Sequence, residues 1–120
     1  MDKLLPFQGP LSGKDVKKID ESNLSSLQRH HVRLLAHCLF SFQAIKEGST
    51  SRSLPDHEEC LQWCLAQSQL VNDHEFRNLI LDQFAGAAKQ LTELSELKQI
   101  SPLDLTLDDL LNAHLHGSTF

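Results

Sequence analysis

Apolar residues recur every three to four positions in long blocks along this chain, and short polar stretches separate the blocks. That is the period of an amphipathic helix rather than the alternation of a strand. The first block predicts a helix over residues 24–47, with Leu24, Leu27, His31, Leu34, Leu35, Cys38, Leu39, Phe42 and Ile45 on one face. Ser22 or Asn23 can accept bonds from its first free amides, and Gly48 can supply a left-handed residue after its end. Residues 48–53 read as a polar loop.

A second helix is expected over residues 54–71, opened by Ser53 with Asp56 and with Pro55 in its first turn, where a missing amide costs little. A third is expected over 73–98, opened by Asn72 with Glu75, its inner face formed by Phe76, Leu79, Ile80, Phe84, Ala87, Leu91 and Leu94. Gly86 costs up to ~1 kcal/mol relative to Ala inside a helix, and within Ala85-Gly86-Ala87-Ala88 it implies close approach of another helix. Ile100-Ser101-Pro102 ends that element. Thr106 and Asp109 then open a short helix over 107–115, with Leu107, Leu110, Leu111 and Leu115 as its apolar face. Asp108 and Asp109 suit the positive end of its dipole.

Residues 1–21 carry Pro6, Gly9, Pro10 and Gly13, which punctuate against regular structure, although a short helical turn near 15–19 fits the pattern. Leu4, Leu5 and Phe7 are apolar enough to dock on the rest. At 1.5 Å per residue the three main helices would be roughly 36, 27 and 39 Å long. The fold expected is all-α: an antiparallel helical bundle of three main helices plus a short C-terminal helix. Its division would be an irregular, docked segment 1–21, a single bundle domain 22–116, and a tail 117–120.

Composition narrows the function classes. A chain of 120 residues fits one domain and can form a core without disulfides or metal. A formal charge of −5 argues against attraction to phosphate backbones. Arg29, His30, His31 and Arg33, preceded by Lys14, Lys17 and Lys18, make only a small basic patch, and no RNP-like aromatics accompany it. No apolar run approaches the ~20 residues of a membrane span, and Met-Asp-Lys-Leu-Leu-Pro lacks the apolar core of a signal peptide. Three cysteines, an odd number without regular spacing, point to a reducing cytoplasm.

Chemistry-bearing groups crowd together once, at His57, Cys60 and Cys64. Thiolates and imidazoles are zinc ligands, and a closed site needs four. Cys60 and Cys64 can share an ion, as can His57 and Cys60. His57 and Cys64, however, lie about 10 Å apart along a helix axis, and a fourth ligand would have to come from His31 or Cys38. The stronger reading places Cys38, Cys60 and Cys64 on core faces, where free cysteine behaves as a small hydrophobe. His31 and His114 read as core histidines needing hydrogen-bond partners. A reactive thiolate wants a polar, electropositive setting, which these apolar faces do not offer. Asp108 and Asp109 point different ways and form no carboxylate dyad. No GxSxG, P-loop, dinucleotide-binding or HExxH motif is present, so no enzyme and no cofactor is expected.

Large side chains off the core faces are the remaining signal. Phe40 falls on the polar side of the first helix beside Arg29, Arg33 and His37, and Trp63, Ala66 and Leu70 form a strip opposite the cysteines. Trp and Arg are enriched at the energetic centres of interfaces. Coverage within the chain, of Phe40 by Leu4-Leu5-Pro6-Phe7 and of Trp63 by the short helix, competes with exposure to a partner. The expected function is a non-enzymatic helical protein-interaction module, self-association included, with Arg29, Arg33, Phe40, Trp63 and Leu70 as the candidate surface. The alternative is a zinc protein using Cys60, Cys64 and His57.

Two stretches, Arg29-His30-His31-Val32-Arg33-Leu34-Leu35-Ala36-His37-Cys38-Leu39 and Ser101-Pro102-Leu103-Asp104-Leu105-Thr106-Leu107-Asp108-Asp109-Leu110, resemble small uncharacterised all-helical proteins of cyanobacteria. The resemblance implies no activity and no site residues.

Overall fold

The computed structural model describes residues 11–67 and 70–115. Its elements in chain order are α1 (Gly13–Asp20), α2 (Ser26–Ile45), α3 (His57–Leu65), α4 (His74–Lys98), a 3₁₀ turn (Pro102–Asp104) and α5 (Leu107–Leu115). The all-α antiparallel bundle is therefore present, with no strand among the described residues. Residues 1–10, including Leu4, Leu5 and Phe7, and the tail 117–120 lie outside the described residues.

Reciprocal caps set the helix starts, and they correct several expected boundaries. α2 begins at Ser26 because Ser25 accepts from the Gln28 amide while the Gln28 side chain accepts from the Ser25 amide. Ser22 and Asn23 have serines three residues on, which cannot return that bond, and the Ser22 hydroxyl instead donates to Ile19 O. Asp56 and Glu59 make the same reciprocal pair at 2.8 and 3.0 Å, so α3 starts at His57 and Pro55 sits before the cap. Asp73, not Asn72, accepts from the Phe76 amide at 2.9 Å and opens α4. Ser12 with Asp15 extends the short turn into the eight-residue α1, whose Ile19 is fully buried. Thr106 with Asp109 opens α5 as the sequence predicts. After α2, Gly48 takes φ +86°, a conformation without steric cost for glycine.

α2 is the centre of the bundle and touches α1, α3, α4 and α5. α4 runs antiparallel to it: Phe42 meets Phe84 at 5.1 Å, and His31, eleven residues earlier, is hydrogen-bonded by Gln90. α5 also returns antiparallel to α2. The Gln43 side chain donates to Leu103 O at one end, and the His31 and His114 rings lie 5.2 Å apart at the other. α1 is tied across by the Arg33–Asp20 ion pair at 2.7 Å and the Lys18–Asp108 pair. Lys98 pairs with Asp109 at 3.1 Å, fixing the end of α4 to the start of α5.

Burial departs from the expected faces at several positions. Val32 and Ala36 are fully buried, while Leu27 is 78% exposed. A helix packed on several sides has a buried arc wider than one wheel face, and its first turn projects beyond the arc's cover. α3 ends at Leu65, so wheel angles carried to residues 70 and 71 fail: Leu70 turns inward and is fully buried, and Val71 faces solvent. Leu79 is half exposed, and a Cβ built at Gly86 would meet nothing within 4 Å. No other part of the described chain approaches Gly86, contrary to the expectation for that glycine.

Arg77 organises the connection from α3 to α4. It is 7% exposed, and its guanidinium donates to Leu70 O at 3.0 Å and Val71 O at 3.1 Å. His74 Nδ1 lies 2.6 Å from its other terminal nitrogen. These bonds anchor the carbonyls of a turn that has left helical geometry. Arg77→Met should therefore lower the denaturant midpoint by an amount worth about 1–3 kcal/mol, the usual cost of stranding buried hydrogen-bonding groups. The dependence on denaturant should stay unchanged. An unaltered midpoint in urea titrations followed by circular dichroism would show that the turn does not depend on this residue.

Candidate functional site

The His57, Cys60 and Cys64 group does not converge. Cys60 and Cys64 point into the core, with relative exposures of 5% and 0%, whereas His57 faces solvent. Cys38, the expected donor from the neighbouring helix, is 1% exposed. All three thiols are free, and among the described residues no group of three or more His, Cys, Asp or Glu could hold a metal ion. Burial pushes the Cys38 thiol up to about 12, with the nearby Cys60 adding to it. Burial likewise pushes Cys60 up to about 11, reinforced by Cys64, Glu59 and Asp56. Burial raises Cys64 too, and Arg77 only partly opposes the effect. Zinc ligation and nucleophilic attack both need thiolate, and this environment favours the thiol. The zinc alternative is accordingly not favoured.

His31 and His114 do come together across α2 and α5, with the two rings tilted by 55° and His114 Nδ1 3.0 Å from Leu110 O. Asp108 and Asp109 are taken up by Lys18 and by Lys98 with Thr106. Burial opposes ionisation of Asp109, but bonds from the Thr106 amide, Lys98 and the Thr106 hydroxyl still hold its carboxyl below the usual range.

The five residues expected to form an interaction surface occupy different settings. Arg29 donates to Leu24 O at 3.0 Å and reinforces the start of α2. Arg33 is engaged by Asp20. Phe40 is half-buried against the core. Trp63 is half-buried too, its ring centroid 6.0 Å from that of Phe84. Leu70 is inside the core and belongs to no surface.

A cavity of about 140 Å³ opens among α2, α3 and α4. Buried Phe42 and Phe84 form its floor, Pro55 and Cys60 one wall, and Leu81, Ala85 and Ala88 the other. Asp56 and His57 stand at its mouth. Three separate helices contribute to it, so no single wheel shows it, and the short side chains around Gly86, expected to admit another helix closely, border open space instead.

Two measurements follow. Native thiols should alkylate with iodoacetamide at pH 8 far more slowly than in urea, with Cys38 the slowest; native labelling of Cys60 at the rate of a free thiol would contradict the buried setting. Burial also pushes the His37 imidazole down to about 4. His31 is lowered by burial and by its neighbour His114, against a hydrogen bond with Gln90 that favours the charged ring, with His30 adding a smaller repulsion. Both rings take up protons more readily in the unfolded chain. Stability should therefore be complete above about pH 6.5, the ordinary histidine value, and fall as pH drops from there toward 4. Thermal melts across this window should show that slope, and His37→Gln should flatten it.

Comparison with known proteins places the chain. Residues 11–117 match the family described as NDH complex assembly factor CRR9. That span includes all five helices and both stretches that carry the resemblance to small all-helical proteins; it says nothing of a cyanobacterial source. No match was found among curated proteins or among solved structures. Matched along the whole bundle, the chain belongs to the NDH complex assembly factor CRR9 family.

Proposed function

We propose that the chain is a non-enzymatic protein-binding module that acts in assembly of the NDH complex by holding a subunit or intermediate of it. The family match over residues 11–117 carries this reading. The setting of the thiols supports it, since their burial and raised pKa values suit packing rather than reaction. Arg29, Arg33, Phe40 and Trp63 each keep an exposed portion, and that portion is included in the surface offered to a partner. Self-association is the second form of the same reading. Leu27 and Leu97, 78% and 72% exposed, favour it, and sedimentation across concentrations decides it. A reducing compartment such as the cytoplasm suits three free thiols. No helix among the described residues is long and apolar enough to cross a membrane.

Removing the chain from the organism that encodes it should lower the amount of finished NDH complex on native gels and leave smaller intermediates. The tagged chain should migrate with an intermediate rather than with the finished complex. A normal level of finished complex without the chain would refute the proposal.

A further inference from the structure

α4 packs one side on α2, α3 and the 3₁₀ turn and leaves the other uncovered. Steps of four and three residues along the outer side lead from Glu75 through Leu79, Asp82, Gly86, Lys89 and Glu93 to Glu96, and each of these is exposed. At the rise of an α-helix the strip is roughly 32 Å long. Four carboxylates stand on it against one lysine, and none of these five side chains has an ion pair or hydrogen bond among the described residues. Elsewhere the chain uses its acids. Asp15, Asp56, Asp73 and Asp109 close helix starts. Glu58 accepts from Gln62, and Glu59 is paired with Lys46. Asp20, Glu21, Asp104 and Asp108 are paired with Arg33, Lys17, Arg52 and Lys18. Among the described residues only Glu47 joins the four on α4 in having no such partner.

The strip carries apolar area as well. Leu79 is 51% exposed, and Leu97, next to Glu96, is 72% exposed. Between them Ala85 and Gly86 keep the ridge low, and a Cβ at Gly86 would meet nothing within 4 Å. A second helix can therefore come close to α4 at that point. Charge decides which one. Four carboxylates less one lysine leave an excess of three negative charges, which repels nucleic acid and anionic lipid alike. A second copy offering the same strip would set that excess against its own. The carboxylates are spread along the axis, and among the described residues no group of three could hold a metal ion. A basic helix with an apolar stripe satisfies the charge, the two leucines and the low ridge together.

We propose that the outer face of α4 docks a basic amphipathic helix of a partner protein, with lysines or arginines set against Glu75, Asp82, Glu93 and Glu96 and apolar side chains covering Leu79 and Leu97. The proposal rests on the reading of the chain as a protein-binding assembly factor and names the surface and the chemistry of the partner. Covering the leucines supplies affinity as apolar area leaves water. The charges supply orientation and a faster encounter.

The test uses the full chain, labelled with ¹⁵N, and three helical peptides. One has a leucine stripe flanked by lysines, one a leucine stripe flanked by glutamates, and one an alanine stripe flanked by lysines. The first should shift amide signals within residues 75–97 and saturate at millimolar concentration, and added salt should weaken it. The other two should each bind roughly tenfold more weakly or less. The double variant Asp82→Lys with Glu93→Lys should exchange the preference, losing the lysine peptide and gaining the glutamate one. Gly86→Gln should raise the melting temperature, since glycine is a poor helix former, and still weaken binding by blocking close approach. Equal binding of the lysine and glutamate peptides, shifts centred elsewhere, no shift at several millimolar, or binding unmoved by both variants would overturn the proposal. So would a wild-type dimer that the double variant makes monomeric, since the occupant would then be a second copy. In the organism, the double variant should release the chain from NDH assembly intermediates. If wild-type chain never migrates with such intermediates, the assembly reading itself fails, whatever the peptides show. If it does, and the double variant still does, only the proposal for α4 fails.

Discussion

No residue of α2 from His31 to Gln43 is fully exposed. Almost four turns of helix have neighbours on every side, and the rest of the bundle is arranged to make that possible. A helix buried all round would ordinarily be apolar all round. α2 instead carries Arg33, His37, Ser41 and Gln43 in this span, and a buried polar group without a partner is costly. Arg33 is met by Asp20 of α1, Ser41 by its own helix at His37 O, and Gln43 by Leu103 O in the 3₁₀ turn. The surrounding elements thus close the apolar surface of α2 and also take up the Arg33 and Gln43 side chains, which fixes where each can sit. Lys46, just past the helix, does the same for α3 through Glu59.

This arrangement explains what the amino-acid pattern revealed and what it did not. The helices, their order and their antiparallel return follow from periodicity and from Pro102, Gly48 and the loop serines. The faces follow only where a helix has one packed side. α5 does, and its leucines at 107, 110 and 111 are buried as the wheel predicts. α2 does not, so a single wheel face left out Val32 and Ala36, and it placed Phe40 and Arg33 on a solvent side that other elements partly occupy. Leu70 was misplaced for a different reason. The wheel assumes continuous helix, and the chain leaves helical geometry after Leu65. Arg77 then captures the turn carbonyls, a contact between residues 6 and 7 apart that no periodicity encodes.

The cysteines illustrate how spacing and environment can disagree. His57, Cys60 and Cys64 have spacings that allow pairs of them to meet on one ion. What their helix packs against decides otherwise, because the two thiols face Phe42 and Arg77 neighbours in the core while His57 looks out. The same packing leaves a gap beside Cys60, since Ala85 and Ala88 are too short to reach across from α4. The cavity is therefore a product of side-chain length on one helix and cap geometry on another, and neither is visible in a motif.

The central position of α2 also bears on how the chain is made. Its cover comes from α1 before it and from α3, α4 and α5 after it, and the His31–His114 contact spans most of the sequence. Domains emerge from the ribosome at about 5–20 residues per second, so α2 is synthesised seconds before its last partner exists. Until α5 arrives, one apolar flank of α2 stays open to water and to other chains. A nascent chain that has not yet made α5 therefore exposes apolar surface that the folded bundle covers.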